Sequence, residues 1–511
     1  MSSHLDDDAK HLHSMGYAQE LARSMSGFSN FAISFSIICI LAGGIGAYTV
    51  ALGAAGGASI GIGWIVGSIF ALVVAAAMGQ IASAYPTAGG LYHWASILGG
   101  RGWGWGTAWI NLFGLLFVVA SVNYGVYLLL KDLILVGMFG MNPDSFTGTH
   151  LTIAVALITL VQAIMNYAGI RVTSLLTDFS GYLILAVSVI IILGLFFGSP
   201  VELDFSRLVT FKNYTGDPGA GTWPATQSIF YAFILGLLHV CYTITGFDAS
   251  AHTSEETKDA QRAVPRGMLN AVFWSAIFGW ILVAAVLLAM PSVDEGAAKG
   301  WSVFFYTLEA SHMPQFLKYI ISVGIVVSNF LCALAGMTSL SRMIFAFARD
   351  GGIPGASGWL KKVHPQHRTP GNAIVTGAVL CFILGLVAGN NANAYIILSS
   401  GCAVFLYISY IMPIGAGILA EGKSWTTKGP FDLGVWSKPI AVVALIGGAI
   451  LAFVGFQPPY QLVGEFLAGL IVALVVVWYA FEKRRFQGPP LTEEAVKARQ
   501  AEIATAEQAF S

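Results

Sequence analysis

The run Asn30-Phe-Ala-Ile-Ser-Phe-Ser-Ile-Ile-Cys-Ile-Leu-Ala-Gly-Gly-Ile-Gly-Ala-Tyr-Thr-Val-Ala-Leu-Gly-Ala-Ala-Gly-Gly57 carries no charged side chain from end to end. A helix rises 1.5 Å per residue, so about 20 apolar residues cross the hydrocarbon core of a bilayer, and this run is long enough. Its middle is the informative part. Ala42-Gly43-Gly44-Ile45-Gly46 concentrates glycine where the helix would lie deepest, and each glycine weakens a helix by about 1 kcal/mol relative to alanine. A span weakened there is expected to break near the midplane. The amides so freed, with the helix dipole behind them, suit an anionic group such as a carboxylate. The competing reading is that the glycines only let two helices pack closely.

The rest of the chain repeats the apolar pattern. Of 511 residues 56% are hydrophobic and 10% charged, against roughly 25% charged in ordinary soluble chains. Apolar stretches of spanning length fall at 31–56, 60–82, 104–130, 151–168, 174–198, 225–247, 268–290, 317–347, 372–389, 394–419, 439–456 and 462–481. The expected fold is therefore an all-α polytopic membrane protein of about twelve transmembrane helices. Among the 25 Lys and Arg residues, only Lys131, Arg207, Lys212, Lys299 and Lys318 fall in the segments that would lie outside if both termini are inside. The positive-inside rule then puts both termini in the cytoplasm, with the cytoplasmic (inner) membrane the expected location. The acidic start, Met1 to Asp8, does not read as a cleavable signal peptide.

Several function classes drop out. A net charge of −1 offers no basic stripe for nucleic acid. The five cysteines sit in apolar stretches without a CxxC pair and read as small buried hydrophobes. No clustered metal ligands or nucleophile–base set is apparent, so neither an enzyme, nor a cofactor, nor a metal is expected. Gly417-Ile-Leu-Ala-Glu-Gly422-Lys423-Ser424 fits a phosphate-loop pattern, but it lies at a span end and lacks the strand that such a loop requires.

The sixth apolar stretch parallels the first. Tyr242-Thr243-Ile244-Thr245-Gly246-Phe247-Asp248 ends it and Ala249-Ser250-Ala251-His252 continues it. An ionisable group at this depth is costly, which makes Asp248 a candidate to attract a substrate amine or to titrate during transport. It is equally readable as the N-cap of a second half-helix. His239 lies inside the first half and reads as a core residue or a gating group. His252, Glu255 and Glu256 are expected at the helix end, pairing with Lys258, Arg262 or Arg266. Asp178 lies within the fifth span. Asn123 and Tyr124 in the third span, and Ser328 and Asn329 in the eighth, are polar positions suited to interhelical hydrogen bonds or to lining a cavity.

These residues resemble a known family. Gly16-Tyr17, Gln19-Glu20-Leu21 and Phe28-Ser29-Asn30-Phe31 lead into the first span. They are joined by Tyr85-Pro86-Thr87-Ala88-Gly89-Gly90-Leu91-Tyr92, by Gly246-Phe247-Asp248 with Ser254-Glu255-Glu256-Thr257, by Ser341-Arg342 through Arg349-Asp350-Gly351-Gly352-Ile353-Pro354, and by Glu482 to Pro490. Together they resemble the amino acid/choline transporter branch of the amino acid–polyamine–organocation superfamily, which includes γ-aminobutyrate permeases. The resemblance implies two inverted five-helix repeats with broken first and sixth helices, followed by two peripheral helices. Substrate would sit between the two breaks, with Gly43, Gly44 and Gly46 at its carboxylate, Thr245, Gly246 and Asp248 opposite, and spans three and eight lining the site. Two departures stand out. The usual Gly-Ser-Gly reads Ala42-Gly43-Gly44 here, and Tyr182 stands where some proton-coupled relatives carry a lysine.

The chain accordingly divides into a cytoplasmic segment 1–30, a first repeat 31–198, an outer loop 199–224, a second repeat 225–419, peripheral helices 420–481 and a cytoplasmic tail 482–511. The expected function is ion-gradient-driven transport of amino acids or related amines by alternating access, with a small-molecule substrate, a coupling proton and the lipid bilayer as partners. An exchanger, a choline or polyamine permease, and a nutrient receptor that binds without transport are the competing readings.

Overall fold

The computed structural model describes residues 2–389, 394–490 and 492–508. The expected connection between the ninth and tenth spans, and positions 491 and 509–511 of the tail, lie outside them. Among the described residues, ten helices are long and apolar enough to cross a membrane: Gly27–Gly46, Gly57–Ala84, Arg101–Val136, Gly148–Tyr167, Ile170–Phe197, Ala260–Ala289, Gln315–Arg349, Ala394–Ala420, Gly434–Gly455 and Gln461–Arg485. Two shorter apolar helices, Ile229–Thr243 and Gly371–Val387, occupy the expected sixth and ninth places. In chain order these are spans 1 to 12. Among the described residues there is no β-strand, only isolated bridges such as Glu421 with Trp425. The phosphate-loop pattern thus lies on the last turn of span 10 and the bend after it, and has no strand before it.

Burial sorts the spans into layers. Within their most apolar stretches span 1 is 89% buried and span 3 is 83% buried, whereas spans 4 and 12 are 17% buried. Spans 1, 3 and 8 therefore form the centre, and spans 4, 5, 11 and 12 turn most of their surface outward. Span 3 packs along both spans 8 and 10, and span 2 packs along span 7. Such close crossings need small side chains. A Cβ on Gly114 of span 3 would lie 2.6 Å from a methyl of Leu406 in span 10.

Span 1 is followed by Gly56 at φ +70°, a conformation open mainly to glycine, and spans 4 and 5 meet at Gly169, φ +120°. The segment between spans 5 and 6 folds back over the bundle, where the Trp223 indole donates to the Val50 carbonyl at 2.8 Å. Both termini lie on the other face. The helix Ser2–Ser14 packs against the tail helix Glu493–Gln508. The Gln19 amide donates to Glu507 at 2.8 Å.

Candidate functional site

Span 1 does break, but not at its glycines. The helix Gly27–Ile38 ends at Cys39, which adopts a left-handed φ of 32°. Gly43 and Gly44 then donate back to the carbonyls of Cys39 and Ile40 at 3.2 and 3.1 Å, and Gly46 donates to Ala42 at 2.8 Å. The glycine amides are thus engaged in a helical turn that starts the second half. Among the described residues, the break leaves the amides of Ile40, Leu41 and Ile45 without a hydrogen-bond partner. Two glycines serve close approach. A Cβ on Gly43 would sit 2.7 Å from Thr243 Cα, and one on Gly46 would meet the Tyr395 ring. Ala42 and Ile45 are buried beside them.

Span 6 breaks after Thr243. The Ile244 amide closes the helix onto Val240 at 2.8 Å, and Gly246 turns the chain at φ +84°. Span 10 satisfies two of the groups that this releases. Tyr407 donates to the Ile244 carbonyl at 2.6 Å, and the Gly246 amide donates to the Tyr410 hydroxyl at 3.0 Å. Phe247 is buried against the Tyr410 ring at 5.0 Å. The short helix Ala249–His252 continues the chain.

The two breaks are stitched together. His239 Nε2 donates to the Gly44 carbonyl at 3.2 Å, and its ring packs edge-on against Tyr48 and Trp64. On the other side of the breaks Ser34 donates to the Phe247 carbonyl at 2.8 Å. Ser250 donates to the Asn30 carbonyl at 2.8 Å, and Asn30 donates to the Ser250 carbonyl at 2.9 Å.

Asp248 is fully buried and occupies the N-cap position without capping, since its side chain bonds no amide of the short helix. The capping reading is thereby corrected: the carboxylate is engaged across the bundle. Tyr410 donates to Oδ1 at 2.8 Å, Asn111 of span 3 reaches Oδ2 at 3.4 Å, and His252 Nε2 lies 3.2 Å from Oδ2. The other ring nitrogen of His252 faces the Ala88 carbonyl at 3.2 Å. Both nitrogens therefore face acceptors, while a neutral imidazole has one N–H. The arrangement is satisfied by imidazolium beside carboxylate, or by a carboxyl O–H donating to Nε2. Tyr410 is ten residues from the end of span 10 at Ala420, so the pair lies about 15 Å inside, near mid-membrane.

The other expected residues are placed as follows. Tyr242 faces Tyr395 edge-on at 6.4 Å. Thr245 and Ser328 are buried with hydroxyls that have no partner, and the Ser328 carbonyl lies 3.8 Å from the Cys39 thiol. Asn329 bonds its own helix at Ile325. Asn123 turns toward span 4, where it meets Thr159 and Gln162, both at 2.9 Å, and Tyr124 beside it is half-buried. Asp178 accepts from Ser29 at 3.0 Å. Tyr182 is 63% exposed and stacks on Phe28. The structure thus gathers Ala42 to Gly46, His239, Thr243 to Asp248 and Ser328 at the two breaks. Asn123, Asp178 and Tyr182 face elsewhere. Asn111, His252 and Tyr410 belong to the cluster and were not singled out for it. The spacing of four between Asp248 and His252 was a local signal; nothing local marks Tyr410.

A lattice of ion pairs closes the terminal face beneath the breaks. Arg342 grips Glu256 with two bonds of 3.0 and 2.9 Å, both residues fully buried. Arg349 grips Glu255 at 3.0 and 2.8 Å and lies 4.0 Å above the Tyr17 ring. Burial by itself would raise the Glu255 carboxyl, but the Arg349 guanidinium outweighs it and holds the group below its ordinary range. Asp350 accepts from Tyr17 and Tyr92 at 2.8 and 3.0 Å and pairs with Arg499 of the tail at 3.0 Å. Burial and then the Asp350 charge push the Tyr17 phenol well up. The expected pairing of Glu255 and Glu256 with Lys258, Arg262 or Arg266 is corrected: the arginines of span 8 take both carboxylates in the buried interior, whereas Arg262 stays exposed beside Asp259.

Residues 25–481 match the family model described as amino acid permease. The chain is 32% identical to "Amino-acid permease BAT1" of Arabidopsis thaliana over 508 residues, which covers 95% of this chain and 96% of that protein. It is 32% identical to "Amino-acid permease BAT1 homolog" of Oryza sativa subsp. japonica, with 94% of each covered. A "Putative polyamine transporter" of Candida albicans is 27% identical, with 89% of this chain and 81% of that protein covered.

Proposed function

Because the chain belongs to the amino acid permease family, we propose that it carries amino acids across the cytoplasmic membrane by alternating access, with both termini in the cytoplasm and a proton coupled at Asp248 and His252. The observation that carries this reading is the buried Asp248–His252 pair beside the apposed breaks of spans 1 and 6. The free amides of Ile40 and Leu41 suit a substrate carboxylate, and the unpartnered hydroxyls of Thr245 and Ser328 offer further polar contacts. In this reading a proton taken up at the buried pair and the substrate load from the same side and are released together, so that an inward proton gradient drives substrate inward. The polar residues collected at the breaks sit within the proposed repeats 31–198 and 225–419, which would rock against each other about this point.

A second reading follows from the aromatic surroundings of Asp248. Phe247, Tyr407 and Tyr410 pack against one another as an aromatic cluster that meets Asp248 through the Tyr410 hydroxyl, and aromatic surroundings suit an amine without a carboxylate, such as a polyamine or choline. Uptake into proteoliposomes separates the two. Labelled amino acids, γ-aminobutyrate, choline and polyamines would be offered with and without an inward proton gradient. Gradient-driven accumulation of an amino acid that is abolished in Asp248→Asn and uncoupled from the gradient in His252→Gln is the expected result. Uptake that needs preloaded vesicles would replace symport by exchange. Gradient-driven uptake unchanged in His252→Gln would remove the pair from coupling, and no uptake of any compound would favour a receptor.

A further inference from the structure

A second feature lies away from the transport site. At the terminal face a cavity of roughly 560 Å³ opens between the start of span 1 and the start of span 7. Its inner wall is aromatic, with Phe28 and Phe31 from span 1 and Trp274 from span 7. Its rim is cationic, carrying Lys258, Arg262 and Arg266. Arg262 and Arg266 are four residues apart, so they share a helix face and point at one mouth. Arg262 is paired with Asp259 at 3.3 Å. Among the described residues neither Lys258 nor Arg266 has a carboxylate within 4 Å, so the rim carries two uncompensated positive charges.

The groove is graded along its depth. Phe28 and Trp274 are 41% and 42% exposed, and Phe273 and Ile277 continue the exposed apolar face along span 7 away from the rim. That face looks toward acyl chains, and the cations lie where headgroups begin. A soluble phosphate would satisfy the rim only, and a neutral lipid the wall only. We propose that this groove is a binding site for an anionic phospholipid, its phosphate held by Lys258 and Arg266 and its acyl chains lying along Phe28, Phe31 and Trp274. The site requires no assumption about what the protein transports.

The test is lipid retention by the purified full chain, read by native mass spectrometry after exchange into mixed micelles of equal phosphatidylglycerol and phosphatidylcholine. The wild type should retain phosphatidylglycerol roughly 30-fold over phosphatidylcholine, the preference expected for two cations near a headgroup. Lys258→Gln with Arg266→Gln should bring the ratio near one. Lys361→Gln with Lys362→Gln, on the same face but outside the groove, should leave it unchanged. Should the double variant not yield folded protein, Arg266→Gln alone, at an exposed position, should roughly halve the preference on a logarithmic scale. Equal retention of the two lipids by the wild type would overturn the proposal, as would an undiminished preference in the groove variants. Inorganic phosphate is the remaining arm: displacement of bound phosphatidylglycerol by millimolar phosphate would make the groove a soluble-anion site instead.

Discussion

Glu256→Gln is the most informative single change in this structure. Glu256 and Arg342 are both wholly buried and joined by two charge-assisted bonds, with Ser341 taking a third donor of Arg342 at 3.1 Å. Removing the carboxylate charge leaves the guanidinium uncompensated in a dry environment, at a cost of about 3–5 kcal/mol. That cost is relieved when the terminal face opens and water reaches Arg342, so the substitution shifts the balance between closed and open forms rather than only weakening the fold. At about 1.4 kcal/mol per decade, the open population should rise at least roughly 100-fold. Cys39 reports it directly, being fully buried at the break of span 1. In a background where Cys241, Cys332, Cys381 and Cys402 are alanine, maleimide labelling of Cys39 should accelerate by that factor in Glu256→Gln. Glu256→Leu with Arg342→Met removes both charges and should return the rate close to that of the parent, since a buried pair replaced by apolar side chains is about neutral. The reasoning is refuted if Glu256→Gln labels at the parental rate, or if the double variant labels as fast as the single one.

Two further outcomes follow from the geometry. Gly43→Ala forces a methyl to within 2.7 Å of Thr243 Cα and should destabilise the protein by about 1–3 kcal/mol, while Gly44→Ala meets only Val283 and Trp64 at 3.5 and 3.8 Å and should melt within a few degrees of wild type. His93, on the short helix after span 2, is buried and hydrogen-bonded to Thr87 at 2.8 Å, and burial lowers its pKa to about 4. The unfolded chain takes up that proton near pH 6.5, so stability should be full above 6.5 and fall by about 1.4 kcal/mol per pH unit as pH drops from there toward 4; His93→Gln should flatten this part of the stability profile.

The location of the spans was legible in the sequence, and so was the fact that the first and sixth break. The expected third stretch, 104–130, lies inside the helix Arg101–Val136, and the glycine-rich middle of the first does mark a discontinuity. What the glycines do was not legible. They look like the break itself, yet the chain turns at Cys39, and Gly43 and Gly46 are small because Thr243 and Tyr395 press on them. Asp248 was conspicuous as a carboxylate in an apolar setting, but its partners Asn111 and Tyr410 are 137 and 162 residues away along the chain. Glu255 and Glu256 suggested local pairing with Lys258, Arg262 and Arg266, and found arginines 94 and 86 residues distant.

The division has a physical basis. Whether a segment spans a bilayer depends on a sum of transfer energies over about 20 neighbours, which a linear sequence contains in full. Composition and hydropathy therefore determined that this is a many-span helical protein with interrupted first and sixth helices. Which face of each span looks inward is a different quantity. A helix that is apolar on every side has no stripe to declare its rotation, and Asn123 and Asn111, twelve residues apart on span 3, read alike in sequence. Only the packed bundle turned Asn123 toward Thr159 and Gln162 and Asn111 toward Asp248, because the rotation of each helix is settled by close contact with all its neighbours at once.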